Sequence, residues 1–391
     1  MSDTPVVFKE FAGLNSGNPE RLTPADLVEA LNVDVDDTGQ ISRRTGFASV
    51  RAGAAHSLWS GGSVALFVSG STLYRLNADY SSLALCAVTP DLPVSYAEVA
   101  GRIYWSNGVE TGVYDGGPRT WGLMVPALPD VAVIGGSLPA GTYLYSMTYR
   151  RGDGQESGAP VAGSIDLTEA GGLRFTLVAS ADPSVVGATI YLSQQNGDVL
   201  YRAVDTLGTS VDYTGDLVRL VTPLDTLLLG PAPAGQIVAQ YNGRVYVASG
   251  SALYASEPFG YELFDLRQYT IIDASEITIV APVTDGIFVG TRERVVFLAG
   301  QGPESFVMQP KSDCGAIPGT LAYVDQDAAK FEIAGKRVAL FATARGLLAV
   351  ADGGTSFDLT QSKFVMPRYH RGAGLYRSDG GDFRYVAILQ S

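Results

Sequence analysis

One short phrase recurs along this chain: a glycine turn followed by a run of strand-forming residues that includes an aromatic. It is clearest at residues 101–105 and 243–247. Looser copies begin at Gly62, Gly286, Gly346 and Gly381. One short strand cannot bury its apolar face alone, so the repetition indicates strands that cover one another, as in a β-propeller or a β-solenoid. Such a repeat favours a scaffold over a catalyst.

The spacing of the copies favours the propeller. At three places successive copies lie 39, 43 and 35 residues apart, and a four-stranded propeller blade takes about 40–45 residues. The 142 residues between Gly101 and Gly243 are too many for one blade, so they predict an insertion. The 60 residues between Gly286 and Gly346 predict a smaller excursion, and the proline-containing stretch 300–319 within it reads as a long irregular loop.

Residues 126–232 have a strand pattern of their own. Proline marks both ends of this segment, at Pro126 and at Pro231, and about seven short alternating stretches lie between them. Seven strands in about 100 residues are typical of a sandwich of the immunoglobulin or fibronectin type III kind. We therefore expect a β-sandwich inserted between two blades, with the propeller divided into residues 54–125 and 233–391.

Residues 1–53 are expected to form an extended arm. Phe11 and Leu14 are isolated apolar anchors in it. The sequence Thr-Pro-Ala-Asp at 23–26 offers a capping residue, a proline at the first helical position and an acid that can complete a capping box. The arm is therefore predicted to carry one short helix that ends near Leu31.

A hairpin is predicted next in the arm. Residues 32–35 alternate like a strand, residues 36–39 form a turn, and residues 40–44 return as a second strand. The same turn resembles the start of a calcium loop, with oxygen-bearing side chains at alternate positions. The twelfth position would be Thr45, where such a loop needs a bidentate glutamate, so a plain hairpin turn is the favoured interpretation.

Composition restricts the function classes. The 391 residues carry a formal net charge of −13, and the sequence pI is about 4.6. A protein this acidic is poorly suited to hold duplex DNA through counterion release. Its acidity fits either a wall past which DNA slides or a surface that simply keeps the protein in solution.

The basic residues are concentrated in two places. Arg43, Arg44 and Arg51 lie in the arm, and a second basic stretch near the C-terminus contains Lys363, Arg368, His370, Arg371 and Arg377. Two interpretations stay open for them: surfaces complementary to acidic neighbours in a ring, or an ordinary solvated loop.

The sequence offers no constellation for catalysis, for a cofactor or for a metal. The two histidines, His56 and His370, have no nucleophile-elbow motif to serve, and no phosphate-binding glycine loop is present. Cys86 and Cys314 are far apart and are expected to be free thiols. No secretory leader and no apolar run of about 18 residues is visible, so we expect no membrane span and synthesis in a cytosol.

One motif keeps a different function open. Residues 114–121, Tyr-Asp-Gly-Gly-Pro-Arg-Thr-Trp, resemble the Asp-box turn of sialidase propellers with one additional residue. Such turns are structural. An active sialidase also needs an arginine triad, a tyrosine nucleophile and acidic partners, which the sequence does not place. The motif and the sandwich together leave a glycan-binding or glycan-cleaving propeller, of the receptor-binding or depolymerase kind, as the alternative, with a generic propeller interaction platform as a third.

The arm resembles the opening of a group of bacteriophage tail proteins. The resemblance rests on Phe-Ala-Gly-Leu-Asn at 11–15, on Leu-Thr-Pro at 22–24, on residues 30–39, and on Arg-Arg-Thr-Gly-Phe at 43–47. Residues 138–158 resemble sandwich modules inserted in such proteins. The group is the nozzle, or tail tubular B-like, proteins of short-tailed phages.

This resemblance implies a non-enzymatic virion protein of the tail, assembled in the host cytoplasm. It implies a propeller with inserted modules that forms a sixfold ring below the portal and the head–tail adaptor. The adaptor and other tail or fibre proteins would be its partners, and double-stranded DNA would pass through without specific binding. Head-to-tail ring contacts need unlike surfaces. We therefore expect interaction residues among Phe11, Leu14, Arg43, Arg44, Arg51, Arg368 and Arg371.

Overall fold

A computed structural model describes residues 10–17, 20, 22–36, 38–44, 46, 48–62, 64–215, 220–324, 337–360, 363, 366, 369–379 and 382–391. The chain divides into two compact units. Unit 1 comprises Met1–Asp91, Gly250–Ala252 and Ile271–Ser391, and unit 2 comprises Leu92–Ser249 and Leu253–Thr270. The four-segment division expected from the sequence stays a prediction.

The first part of the chain contributes twelve strands. They are β1 (Gly13–Leu14), β2 (Asp26–Leu27), β3 (Val33–Val35), β4 (Ile41–Arg43), β5 (His56–Gly61), β6 (Val64–Ser69), β7 (Thr72–Leu76), β8 (Ser82–Ala87), β9 (Ser95–Val99), β10 (Arg102–Ser106), β11 (Thr111–Tyr114) and β12 (Pro118–Arg119).

The middle of the chain contributes seven strands. They are β13 (Asp130–Leu138), β14 (Gly141–Arg151), β15 (Gly163–Leu167), β16 (Gly171–Thr176), β17 (Val185–Ser193), β18 (Leu200–Thr206) and β19 (Ser210–Tyr213).

The described remainder contributes β20 (Ile237–Tyr241), β21 (Arg244–Ser249), β22 (Ala252–Glu257), β23 (Gly260–Phe264), β24 (Thr270–Ile271), β25 (Ile277–Val283), β26 (Gly286–Thr291), β27 (Val295–Ala299), β28 (Val307–Ser312), β29 (Ala322–Val324), β30 (Val338–Thr343), β31 (Gly346–Ala351), β32 (Thr355–Asp358), β33 (Arg371–Asp379) and β34 (Asp382–Gln390). Two 3₁₀ turns, Pro303–Ser305 and Asp352–Gly354, lie among these strands.

Five sheets have the topology of propeller blades, in which four consecutive strands run up and down beside one another. Unit 1 holds β5–β8, β25–β28 and β29–β32, and unit 2 holds β9–β12 and β20–β23. The predicted fold class, all-β with propeller blades of four short strands, is therefore confirmed.

The recurring glycine phrase is the second strand of four blades, where its copies are β6, β10, β21 and β26. In the blade β29–β32 it is the third strand, β31, and the copy that follows position 381 lies in β34. Before β10, the two turn residues Ala100 and Gly101 have φ of 51° and 76°, and before β21 the pair Asn242 and Gly243 has φ of 44° and 72°. Two successive left-handed residues define the two-residue hairpin turn whose twist matches that of the strands, and glycine adopts this conformation without strain.

The strands of the glycine phrase lie in the apolar cores of the units. All six residues of β26 are buried. A continuous apolar run of this length is typical of a strand covered on both faces. In unit 1, Phe288 stacks against Phe297 of β27 with ring centroids 4.7 Å apart, and Phe341 of β30 belongs to the same core. Burial on both faces explains why the phrase tolerates so few polar residues.

The inserted segment is a sandwich, as expected. Its seven strands form a three-stranded sheet in the order β13-β16-β19 and a four-stranded sheet in the order β15-β14-β17-β18. The side chains between them are fully buried, among them Leu138, Tyr143, Met147, Phe175 and Ile190. This three-plus-four division is that of a seven-stranded immunoglobulin-type sandwich.

The predicted helix in the arm is wrong. The Asp26 carboxylate accepts hydrogen bonds from the amide and the hydroxyl of Thr23, at 2.8 and 2.9 Å, and the Asp26 amide donates to the Thr23 carbonyl. These bonds, led by the one from the Thr23 amide, hold the pKa of Asp26 below its usual value. They close a tight turn, after which β2 pairs in parallel with β1. A threonine and an acid three residues apart can form either this turn or a helix capping box, and in this chain they form the turn.

The predicted arm hairpin is confirmed. Strands β3 and β4 pair antiparallel. One carboxylate oxygen of Asp36 accepts hydrogen bonds from the Thr38 amide and hydroxyl and from the Gln40 amide. Asp36, the acid of the calcium-like pattern, therefore stabilises the turn through hydrogen bonds within the hairpin. No group of three or more metal-ligating side chains occurs among the described residues.

The predicted irregular loop at 300–319 is wrong in part. It contains the 3₁₀ turn Pro303–Ser305 and strand β28, which pairs with β27 as the fourth strand of its blade. Strand β28 has exposed apolar residues and a proline, Pro310, so its sequence lacks the regular alternation of an internal strand.

The core predicts an unequal response to the same substitution at two sites. Phe288→Ala removes a fully buried ring and should lower the free energy of unfolding by about 3–5 kcal/mol. Phe259→Ala removes a ring that is 79% exposed, and its effect should stay within about 0.5 kcal/mol. Urea unfolding followed by tryptophan fluorescence measures both. Equal midpoints for the two variants would contradict the described core.

Candidate functional site

The two apolar anchors of the arm hold arm segments to each other. The Phe11 amide donates to the Gly39 carbonyl at 2.9 Å, and Leu14 in β1 pairs with Leu27 in β2. Both side chains are half-buried. They give the arm a small structure of its own, and their role in binding a partner stays a prediction.

The arm displays basic and apolar side chains to solvent. Arg43 and Arg44 are exposed at the end of the hairpin, where the Arg44 amide donates to the Asn32 carbonyl. Val28 and Leu31 precede the hairpin and are 64% and 73% exposed. The arm thus presents the mixed chemistry of an interaction surface.

Arg51 lies away from the other arm arginines. Its guanidinium stacks over the rings of Phe67 and Tyr74, at 4.8 and 5.4 Å from their centroids, and donates to the Ser82 hydroxyl at 2.8 Å. These cation–π contacts attach it to the blade β5–β8. The structure does not bring it together with Arg43 and Arg44.

The C-terminal basic stretch is brought next to the arm. The backbone carbonyl of Lys363 accepts hydrogen bonds from the amides of Ser16 and Gly17, at 2.8 and 2.9 Å. Arg371 begins β33 and donates to the Gln390 side chain at 2.7 Å. Arg368 lies outside the described residues.

A second link joins the same two regions. Asp34 of β3 forms an ion pair with Arg384 of β34, and both side chains are largely buried there. Strands β33 and β34 form the C-terminal hairpin, and we call this ion pair the arm–hairpin contact. Sequence reasoning missed it, because an acid and a base from opposite ends of the chain carry no spacing signal.

A charge network in unit 2 was also missed. It contains three acids and three arginines, which we call the Glu262 network: Arg102, Asp115, Arg119, Arg151, Asp153 and Glu262.

Glu262 of β23 lies at the centre of the network and is 2% exposed. Arg119 donates to both of its oxygens, at 2.7 and 2.9 Å, and Arg151 reaches the same carboxylate at 3.1 Å. The Gly122 amide donates to it at 3.2 Å. A buried carboxylate is tolerated only with such partners, and the two-pronged arginine contact is the strongest kind.

The two outer acids satisfy the remaining charge of the arginines. Asp115 pairs with Arg102 at 3.0 Å, and Asp153 pairs with Arg151 at 3.0 Å. Burial opposes ionisation of Asp153, but hydrogen bonds from Arg151 and from the Gln155 amide outweigh it and hold its pKa below the usual value. Burial acts in the same sense on Tyr104, and there it prevails: together with the nearby Glu262 charge it raises the pKa of the phenol.

The Glu262 network joins three elements of unit 2. Arg151 ends β14 of the sandwich, Arg119 lies in the blade β9–β12, and Glu262 lies in the blade β20–β23. The Thr120 hydroxyl adds a hydrogen bond to Asp182 of the sandwich at 2.8 Å. Ion pairs and hydrogen bonds therefore fix the sandwich to both blades.

The segment resembling an Asp-box supplies much of this joint. Residues 114–121 turn from β11 into β12, and their acid and arginine belong to the Glu262 network. The Trp121 indole donates to the Tyr261 carbonyl at 2.8 Å and packs against Tyr104 and Phe264. The structural interpretation of this turn is confirmed.

The three arginines of the network do not form an open ligand site. An active sialidase needs an arginine triad, whereas these three arginines converge on the carboxylate of the protein's own Glu262. An incoming acid would have to displace a side chain that is almost completely buried.

The two histidines make local hydrogen bonds. His56 shares a hydrogen bond with the neighbouring Ser57 hydroxyl, and the His370 amide donates to the Gln390 carbonyl. In the part of the chain that the structure describes, no helix has the length and apolarity needed to cross a membrane.

The network predicts a large cost for removing its central charge. Glu262→Gln keeps the side-chain shape but leaves buried arginines without their counter-ion, so the free energy of unfolding should fall by about 3–5 kcal/mol. The matched control is Glu276→Gln, which breaks the exposed Arg292–Glu276 pair and should cost less than about 1 kcal/mol. Chemical unfolding measures both variants, and equal losses would refute the central role of Glu262.

The lowered pKa of Asp153 predicts a defined pH dependence. A carboxyl whose folded pKa lies below its unfolded value, about 3.8, stabilises the fold above that value and loses this contribution as pH falls through the folded pKa. Asp153→Asn should therefore lower stability at neutral pH and reduce the further loss below about pH 4. Thermal unfolding from neutral to strongly acidic pH measures this, with Asp198→Asn on the exposed turn before β18 as the control. An unchanged profile in Asp153→Asn would count against the pairing.

Comparisons with known proteins give likenesses of structure alone. No protein-family model and no curated protein matches the chain. A streptogramin B lyase structure matches with a TM-score of 0.34 and 12% identity over 88% of this chain and 96% of that one. A catalytically inactive virginiamycin B lyase from Staphylococcus aureus, crystallised with quinupristin, matches with a TM-score of 0.28 and 10% identity over 92% and 94%. Hsv2 from Kluyvelomyces marxianus matches with a TM-score of 0.25 and 10% identity over 74% and 72%. The fold class rests on the strand pairing of this chain itself.

Proposed function

We propose that this chain is a structural subunit of a bacteriophage tail, in the nozzle or tail tube, and forms part of the conduit for DNA ejection below the portal and adaptor. The observation that carries the proposal is the arm. Its sequence resembles the opening of such tail proteins, and it exposes apolar and basic side chains to solvent.

The exposure of the arm supports an assembly role. Val28 and Leu31 are aliphatic and mostly exposed, and Arg43 and Arg44 follow them on the hairpin. Exposed aliphatic side chains near charged ones are a common feature of protein–protein contact sites. A short arm with little core of its own gains order when a partner covers such side chains.

A rigid scaffold agrees with the rest of the structure. The described blades consist of short strands with tight turns, and the sandwich is fixed to two of them by the Glu262 network. The arginines and acids of that network neutralise one another, which suits a mechanical joint. We accordingly propose a protein without enzymatic activity.

The proposed assembly is a closed head-to-tail ring. The phage-tail resemblance supplies the number six and the neighbours, namely the head–tail adaptor and other tail or fibre proteins. A net charge of −13 per subunit suits a conduit whose inner wall passes double-stranded DNA without holding it. Under this proposal the chain resides in the virion after assembly in the host cytoplasm.

Cryo-electron microscopy of the particles encoded by the same genome tests the proposal. The expected result is a ring of this chain on the tail axis with acidic side chains towards the channel. Finding the chain off the axis, or finding arginines along the channel wall, would overturn it. Specific binding on a glycan array, or release of sugar from a host polysaccharide, would instead favour a glycan-directed propeller.

The arm predicts a separation of folding from assembly. Deleting residues 1–50 should leave a folded chain, because Arg51 and the blade it contacts remain, but the ring should be lost. Circular dichroism and thermal melting check the fold, and native mass spectrometry checks the ring. Normal assembly of the truncated chain would show that the arm is dispensable.

A further inference from the structure

We propose that in the assembled ring the arm of each copy docks on the C-terminal hairpin of the next copy, so that the arm–hairpin contact forms between subunits. The inference rests on the proposed ring and names the surface and the partner: the hairpin β33–β34 and the arm of a second copy of this chain.

The C-terminal hairpin has the form of half a blade. Its strands are nine residues long and pair along their whole length. One edge is already joined to the chain, because the amides of Gly372 and Gly374 donate to the carbonyls of Pro318 and Gly319. Among the described residues, β34 pairs with no strand other than β33. An edge strand of this kind is a site at which another segment can pair.

The two faces of the hairpin differ. On the inner face, the Tyr385 hydroxyl donates to the Thr320 carbonyl at 2.6 Å. The opposite face carries the cross-strand pairs Ala373–Ile388 and Leu375–Val386. Leu375 is 55% exposed and Ile388 is 67% exposed. An apolar sheet face of this kind is stabilised when another segment covers it.

The charges on the same face specify an acidic partner. Arg377 lies directly across from Arg384, and like charges in that position destabilise a strand pair. Asp34 of the arm hairpin supplies a compensating negative charge. The arm is thus complementary to this face in charge. Because every copy carries the same arm, the arm of another copy can form the same ion pair.

Docking within one copy leaves apolar surface in water on both sides of the contact. Val28 and Leu31 of the arm, and Leu375 and Ile388 of the hairpin, are all mostly exposed in the single chain. The approach of a second copy can cover these side chains while keeping the same ion pair. Exchange of an identical element between copies is a low-cost route to assembly, because no new contact chemistry has to arise.

The chain between the arm and the first blade permits the exchange. Strand β4 ends at Arg43 and β5 begins at His56. Arg51 is attached to the blade β5–β8, so the free part runs from Arg43 to Arg51 and, when extended, spans up to about 26 Å, since each residue adds roughly 3.3 Å. That reach is comparable to the width of a small domain, so the arm can cross to a neighbour.

Reversing the charges separately and then mixing the variants tests the exchange. Asp34→Arg (D34R) and Arg384→Asp (R384D) each place like charges at every contact, so each variant alone should fail to form rings. In an alternating ring of the two, every arm meets a hairpin of opposite charge. Mixing should therefore restore rings to the wild-type level, as measured by native mass spectrometry with one variant isotopically labelled.

The double variant D34R/R384D serves as the control. It restores opposite charges whether the contact forms within or between copies, and it should assemble alone. Rescue by the double variant without rescue by mixing would show that the contact stays within one copy and would overturn the inference.

The remaining outcomes are also decisive. If the wild-type chain forms rings and neither single variant weakens them, the ion pair does not lie at the interface between copies. The proposed tail function then stands without the exchange of arms. A wild-type chain that forms no ring at any concentration, alone or with cross-linker, overturns both the exchange and the ring. Circular dichroism of the single variants shows that the lost rings do not reflect lost folding.

Discussion

The burial of one strand in each blade is the constraint on which the rest of this structure depends. A short strand gains little from its own hydrogen bonds and has to be covered on its apolar faces. Strand β26, buried along its whole length, is covered because β25 and β27 flank it and because Phe288 packs on Phe297. The same need recurs at each copy, so the chain repeats a hairpin and places its irregular features at the edges.

The Glu262 network places charge in the interior of unit 2, and there it serves geometry more than stability. Replacing a buried ion pair by apolar residues often leaves stability unchanged, so such a pair is weak evidence of a stability gain. Glu262 instead contributes directional hydrogen bonds. The planar guanidinium groups of Arg119 and Arg151 come from different elements, and both bond to its carboxylate. The orientation of the sandwich relative to the two blades is then specified by bonds of defined angle.

Local features of this chain could be predicted from its sequence, and distant pairings could not. The turn at 100–101 and the strand that follows are encoded within a few residues, since glycine tolerates the left-handed conformation that the turn requires. The turn at Thr23 was mistaken for a helix start because one pattern of side chains satisfies two local structures. Arg119 and Glu262 are 143 residues apart, and Arg151 and Glu262 are 111 apart. Nothing in a single sequence marks which arginine among many meets which acid.

The insertion of the sandwich has a consequence for the order in which unit 2 forms. The Ser106 hydroxyl donates to the Gly235 carbonyl and accepts from the Gly235 amide, and Tyr104 shares a core with Val245 and Val247. These contacts join the two chain segments that flank the insertion. While the insertion is unfolded, closing them means confining a long flexible loop, whose entropic cost rises with its length. A sandwich that has already folded confines the chain between the two flanking segments. Less conformational entropy is then lost when those segments meet. If the inserted module folds first, it lowers the entropic cost of joining the two blades that it interrupts.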